Sequence, residues 1–237
     1  MFVTTKGILL SKTKYSENSF IVKIFTEKFG IQSFMIKNGY SKKSHLSNAL
    51  FSTLAILELT FNDKNLHKLN FIKEADIFYH YKKIPFDIVR STVFLFYNEL
   101  FYKLLSYPNE EIQLYQLIED ALMELDKAGE IRADIHILFL VKLLYHLGII
   151  PQNNYSDTRC YFSIPNALFE SQFCDKATYL SKDTSAYFSN ILEGKTESIP
   201  EKHIRKEILT GLINYLITHN EHIHRIESID MMGEILK

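Results

Sequence analysis

The sequence predicts an α+β protein of two parts: an N-terminal five-stranded OB-type β-barrel followed by a C-terminal α-helical domain. Three observations predict it. The first 80 or so residues alternate apolar and polar side chains as strands do, the period lengthens to that of helices after Tyr81, and the charge divides along the same line. Residues 1 to 82 hold 12 lysines and 6 acidic residues, net +6, whereas residues 83 to 237 hold 15 basic and 22 acidic residues, net −7. The near-neutral total of −1 therefore hides two modules suited to different partners. The expected boundaries are 1–80 for the barrel and 84–237 for the helical domain, with an irregular excursion at about 150–180.

Thr4 to Lys12 reads as a first strand. Ser19 to Phe25 alternates, with Phe20, Val22 and Ile24 on one face and Lys23 on the other. Thr26 to Gly30 is a hairpin connection in which the glycine supplies positive φ, and Ile31 to Lys37 is the return strand. Asn38 to Asn48 is polar and basic, hence a loop. Phe51 to Phe61 reads as a long strand, Asn62 to Asn65 as a turn and Leu66 to Ile77 as a fifth strand. Five strands with a loop between the third and fourth predict the OB arrangement; an SH3-like barrel or an open meander satisfies the same pattern.

Pro85 stands where a helix begins, and Ile84 to Ser106 is long and apolar enough for a buried helix. Glu110 to Lys127 is amphipathic, with Ile112, Tyr115, Ile118, Leu122 and Leu125 on one face. Ala133 to Leu147 is apolar nearly all round and stops at Gly148 and Pro151. Ser198 to Glu201 has a capping-box arrangement ahead of a helix to about His219, and a short helix spans Ser228 to Leu236. Residues 150 to 180 are irregular, with room for a small hairpin.

Function is read first from residues 1 to 43. They carry eight lysines against two acids, Glu17 and Glu27, interleaved with Phe20, Phe25, Phe34 and Tyr40. Cations that release counterions and rings that stack bases are what a nucleic-acid strand requires. A soluble sheet with lysines on its outer face has the same composition. Lys42 and Lys43, with Tyr40 in the same loop, are the strongest local contact signal. Lys14 and Tyr15 are expected in the loop between strands one and two, and Lys23 and Lys37 lie on strands two and three, where OB-folds commonly bind nucleic acid.

Other chemistries find little support. Cys160 and Cys174 have no C-x-x-C partners, since Asp157, Ser163, Ser171 and Ala177 occupy the flanking positions, and no histidine lies between His146 and His203. His219, His222 and His224, with Glu221, read as histidines at a helix end. His136 and His146 read as core or boundary residues. No phosphate-loop, nucleophile-elbow, dinucleotide or H-E-x-x-H motif occurs, so the chain is expected not to be an enzyme and to need no cofactor or metal. No transmembrane or signal segment is apparent, and the expected location is cytoplasmic, associated with the nucleoid.

The order of these motifs resembles the RecO family of bacterial recombination mediators. The resemblance rests on Lys6-Gly7-Ile8-Leu9-Leu10, then Lys14 to Ser19, then Lys23 to Gly30 and Lys37-Asn38-Gly39. Leu138 to Pro151 is similar to the family's central helix and its stop, and Leu212 to Leu236 to its closing helices. The resemblance implies a non-enzymatic protein that binds single- and double-stranded DNA and anneals complementary strands. It also implies action with RecR to help load RecA on DNA coated by single-stranded-DNA-binding protein, whose acidic, apolar-ended tail the helical domain contacts. Arg132 and Lys142, cations near and within the apolar central helix, are the expected tail contacts. Many members carry a four-cysteine zinc module after that helix; with two cysteines here, the module is expected to be degenerate and metal-free. An OB-fold RNA-binding protein and a helical protein-interaction scaffold are the alternatives; RNA preference, or absence of salt-dependent binding, separates them.

Overall fold

The computed structural model describes residues 1–17, 19–37, 50–66, 68–105, 112–195, 201–220 and 223–235. Five strands form a closed barrel: β1 (Phe2–Ser16), β2 (Ser19–Thr26), β3 (Gly30–Lys37), β4 (Ile56–Asn62) and β5 (Leu69–Tyr79). Their order around the barrel is β1-β2-β3-β5-β4, and β4 returns to β1. All pairings are antiparallel except β3 with β5, which is parallel. This is the OB arrangement expected from the sequence. Alternation sends Phe20, Val22, Ile24, Phe34, Ile36, Leu57, Leu59 and Phe61 inward, and the rings of Phe34 and Phe61 meet edge to face at 5.0 Å. Gly7 has no room for a side chain: a Cβ there would lie 2.5 Å from Ile24 Cγ2. Gly30, at φ 60°, makes the β2–β3 turn as its position predicts.

Strand limits differ from the sequence reading: β5 begins at Leu69, not Leu66, and two larger differences have a visible cause. β1 continues to Ser16 because its pairing with β2 survives a bulge between Lys14 and Ser16, so Lys14 and Tyr15 lie on a strand end and not in a loop. β4 begins at Ile56, not Phe51. Leu54 adopts φ 49°, and the Leu54 and Leu9 N–H groups donate to the Leu9 and Ala55 carbonyls, so the apolar run Phe51–Ala55 plugs the barrel without extending the strand.

The chain divides into two compact units. The first contains Met1–Asp87 and Tyr97–Lys127, the second Ile88–Phe96 and Ala128–Lys237. Helix α1 (Ile88–Leu104) contributes to both; it starts later than Ile84 because Pro85 is held in a 3-10 turn, Ile84–Phe86. Helix α2 (Ile112–Lys127) closes the first unit. Its buried Asp126 accepts from the N–H groups of Lys82, Lys83 and Ile84 at 2.8–3.0 Å and from the Tyr79 hydroxyl at 2.9 Å. Nearer its middle, Glu119 receives Lys6 Nζ at 2.5 Å, and Tyr115 packs on Phe25 at 5.6 Å.

In the second unit α3 (Ile135–His146) is buried along most of its girth and ends at Gly148, φ 70°. A hairpin, β6 (Tyr161–Ser163) with β7 (Leu168–Glu170), occupies the irregular stretch. Its Phe162 meets Phe169 at 5.2 Å and Phe188 at 4.8 Å. Phe188 belongs to α4 (Lys182–Leu192), a helix the sequence reading does not contain. Helix α5 (Lys202–His219) has Glu201 at its N-cap without a side-chain cap bond, and Ser198 of the expected capping box is outside the described residues. Helix α6 (Ile229–Ile235) is the last element. Tyr215 on α5 donates to the Ile149 carbonyl at 2.8 Å, which ties α5 to the end of α3.

Asp126 should carry a large share of the first unit's stability. Burial pushes its carboxyl up, but three backbone N–H donors and Tyr79 outweigh burial and hold it below the ordinary 3.8. Asp126→Ala strands four donors and should cost about 3 kcal/mol in urea unfolding at neutral pH. Because the folded-state value is depressed, the wild type keeps this contribution above the ordinary value and loses it as pH falls below about 4, where the variant's deficit should shrink.

Candidate nucleic-acid interface

The outward residues of β1, β2, β3 and β5 are set by strand register. Thr13 pairs with Ile21, Ile21 with Met35, and Met35 with Phe71; one step along, Ser11 pairs with Lys23, Lys23 with Ser33, and Ser33 with Leu69. All eight point away from the core and are exposed or partly exposed. The result is a four-stranded face with Ile21, Met35, Leu69 and Phe71 as its apolar centre. Phe71 is 50% exposed, one of several exposed phenylalanines and the one that lies on this face. Lys37 Nζ stands 4.9 Å from the Phe71 ring centroid, and Lys23 is exposed in the neighbouring row. Lys14 and Tyr15, the latter 64% exposed, extend from the end of β1. An exposed ring with cations beside it can hold a base face and a phosphate together.

The structure sorts the N-terminal lysines and rings. Lys6 is taken up by Glu119 at 2.5 Å and Glu27 at 3.7 Å, and Lys28 donates to the Thr4 carbonyl at 3.3 Å, so both serve the fold. Burial lowers the pKa of Lys12, whose Nζ sits 5.4 Å from the Phe20 ring centroid. Phe20, Phe25 and Phe34, expected as stacking rings, are at most 1% exposed and cannot meet a base. Phe20 and Phe34 are core because the alternation that exposes Lys23 turns their positions inward, and Phe25, on the outward side, is covered by Tyr115 of α2. Phe71 takes their place; it was missed because a single phenylalanine on an alternating strand carries no mark of which face is covered. Tyr40, Lys42 and Lys43 lie outside the described residues.

A second concentration of cations lies in the helical unit. Ala133, His136, Lys202, Arg205, Lys206, Leu209, Thr210, Ile229, Asp230 and Met232 line a cavity of about 490 Å³ between α3, α5 and α6. Of the two expected tail contacts, Arg132 forks onto the buried Asp134 with Nε and Nη2 at 3.0 and 2.9 Å, and Lys142 is exposed. Neither lines the cavity. Lys202, Arg205 and Lys206 do, and their i, i+3, i+4 spacing at the start of α5 was the overlooked signal. His136 is buried, as expected for a core histidine. Cys160 is buried and Cys174 exposed, both free, and the described residues contain no group of three or more His, Cys, Asp or Glu arranged to hold a metal. No described helix is long and apolar enough to cross a membrane.

A closed OB barrel with an open, lysine-flanked apolar face, followed by a helical region, defines an OB-fold nucleic-acid-binding protein. Residues 1–81 match the family model described as Recombination protein O N terminal, and residues 85–225 the one described as Recombination protein O C terminal. The chain is 25% identical over 239 residues to the DNA repair protein RecO of Azobacteroides pseudotrichonymphae and 28% identical over 240 residues to that of Flavobacterium psychrophilum. It is 27% identical over 240 residues to that of Bacteroides fragilis, and in each case 99% of both chains is covered. The chain belongs to the RecO family of DNA repair and recombination proteins, non-enzymatic mediators that bind DNA.

His136 gives a direct check on the helical unit. Burial pushes its imidazole down to about 3; Asp134 opposes the shift and Arg205 reinforces it. A histidine depressed in the folded state contributes fully above its unfolded value of 6.5 and destabilises as pH falls below it. Near pH 5 the loss should reach about 2 kcal/mol. Urea unfolding of wild type and His136→Phe between neutral pH and pH 5 should show the variant losing less.

Proposed function

We propose that the chain anneals complementary single strands and, with RecR, helps load RecA on DNA coated by single-stranded-DNA-binding protein. The observation that carries this reading is the outward face of β1-β2-β3-β5, where Phe71 is half exposed under Lys37 and flanked by Lys23. Annealing needs a surface that holds a strand by its phosphates while leaving bases able to exchange partners. Lysines supply the first property and a single stacking ring, without base-edge donors, the second. Lys14, Tyr15, Lys23 and Lys37 belong to this surface, and Tyr40, Lys42 and Lys43, outside the described residues, are further candidate DNA contacts. Duplex DNA binds the same lysines through its phosphates alone.

The helical unit is then the partner module. The acidic tail of the single-stranded-DNA-binding protein docks in the cavity of Lys202, Arg205 and Lys206, where local cations overcome the unit's overall negative charge. Arg132 adjoins Ala133 of the cavity wall and adds a second-rank cation; Lys142 supplies another on the exposed side of α3. Removing Arg132 or Lys142 by substitution with alanine should weaken tail-peptide binding less than removing Lys206.

Two measurements test the DNA side. Binding of a short single strand should fall with salt with a log–log slope of about −3, four phosphates' worth. Lys23→Ala with Lys37→Ala should flatten it by about 1.4, and Phe71→Ala should cost about 1–3 kcal/mol without changing it. Wild-type affinity and slope in all three would move the DNA site off this face. For the mediator role, complementary strands coated with the cognate single-stranded-DNA-binding protein should anneal in the presence of the chain, and the Phe71 and lysine variants should anneal them more slowly.

A further inference from the structure

A second exposed ring with a cation over it lies beyond the face proposed for DNA. Phe2 stands at the start of β1, where that strand pairs with β4, and is 55% exposed. Lys73 of β5 reaches past β4 to place its Nζ 5.1 Å from the Phe2 ring centroid, the same arrangement that Lys37 makes with Phe71 at 4.9 Å. A bulge creates it. Thr60 pairs with Glu74 but the next residue, Phe61, pairs with Ile72, so Lys73 is the extra residue of β5. Lys73 and Glu74 both stand outward between the buried Ile72 and Ala75. Beside the ring, hydrogen bonds brace the corner between β4 and β5: Asn62 Oδ1 accepts from the Lys64 N–H at 3.0 Å, and the Asn70 side chain donates to the Asn62 carbonyl at 2.6 Å. Lys64 and Lys68 are exposed on this corner. The acids there are already matched, Asp63 by the Met1 ammonium and Glu74 by Lys73 at 3.2 Å, an exposed pair that contributes little.

We propose that this corner is a second subsite for the same single strand: the ring of Phe2 stacks a base, and Lys73, Lys64 and Lys68 take the phosphates around it. The inference rests on the DNA reading of the β1-β2-β3-β5 face and adds to it the path of the strand beyond Phe71. β5 carries Phe71 and Lys73 two residues apart on its outer side, so the two pairs of ring and lysine are continuous along it. Phe2 lies two strand spacings from β5, about 10 Å, so a strand held on Phe71 meets it within a few nucleotides. Without a ligand, Lys73 covers one side of an exposed apolar ring. With a strand present, its ammonium turns to a phosphate and the ring face passes to a base, a stronger contact than an exposed cation over a ring. Thr4 and Thr60, outward beside the ring and bonded to each other at 2.9 Å, are polar, which suits a chain of bases and phosphates better than the apolar core of a protein interface. The second ring also selects single strands. A duplex keeps its bases stacked on one another and presents phosphates, which the lysines bind without Phe2.

The chain contains no tryptophan, so Phe2→Trp in the full chain places its one indole at the proposed stack. Oligodeoxythymidine of about ten nucleotides should quench that emission, and saturating duplex DNA should not. Oligonucleotide binding without quenching, or equal quenching by duplex, would overturn the proposal. In anisotropy titrations Phe2→Ala should weaken oligodeoxythymidine about tenfold while leaving its salt slope and the duplex affinity unchanged. Lys73→Ala should flatten the slope by about 0.7, one phosphate's worth. Both side chains are exposed, and urea unfolding should show wild-type midpoints for both variants. Wild-type single-strand affinity in Phe2→Ala, alongside a loss in Phe71→Ala, would overturn this subsite and leave the face standing. A loss in Phe2→Ala with Phe71→Ala unaffected would keep the subsite and remove the face. Equal losses for single strand and duplex in Phe2→Ala would show that the ring supports the fold of the corner and holds no base, and would overturn the proposal.

Discussion

One carboxylate holds the first unit together. β5 ends at Tyr79, and the chain must pass from a strand that pairs on both edges to helices that do not. The passage exposes the N–H groups of Lys82, Lys83 and Ile84, which neither a sheet nor a helix satisfies. Asp126, forty-odd residues later, accepts all three and Tyr79 as well. It thereby fixes the far end of α2 against the barrel's exit strand, while Glu119 and Tyr115 fix its middle through Lys6 and Phe25. The barrel side carrying Lys6 and Phe25 is thus committed to α2. The face of β1-β2-β3-β5 that carries Lys23, Lys37 and Phe71 stays open because the helix covers the other side.

The same division explains how a chain of almost zero net charge can bind a polyanion. Lys6 and Lys28 are spent within the fold, and Lys12 is drawn toward a buried ring. Lys14, Lys23 and Lys37 stand exposed on neighbouring strands. In the second unit Lys202, Arg205 and Lys206 gather in one concavity between α3, α5 and α6.

Much of the fold was legible because alternation and turn chemistry are local. The register of β2 and β3 follows from Phe20-Val22-Ile24 and from Gly30, and the end of α3 from Gly148. Errors fall where non-local contact overrides pattern. Phe51–Ala55 has strand composition, yet it does not extend the strand because Leu54 N–H donates to the Leu9 carbonyl and Leu9 N–H to the Ala55 carbonyl across forty-odd residues. Helix α4 escaped because Thr184, Ser185 and Ser189 are buried polar residues, which blur an amphipathic period; Glu207 accepts from Thr184, and Ser185 donates to the Leu180 carbonyl. The exposure of Lys14, Lys23 and Lys37 could be read from sequence, since a lysine on a strand almost always points outward. The exposure of Phe71 could not, because a phenylalanine on an alternating strand carries no mark of which face stays uncovered.

The central claim is that a single strand lies across β1-β2-β3-β5. Amide hydrogen exchange, read by mass spectrometry with and without bound oligodeoxythymidine, tests it most directly. Slower exchange should concentrate in peptides covering Ser11 to Lys23, Ser33 to Lys37 and Leu69 to Lys73, with β4 and α5 unchanged. Protection centred on β4 or on the helical unit, with these three segments unaffected, would contradict it.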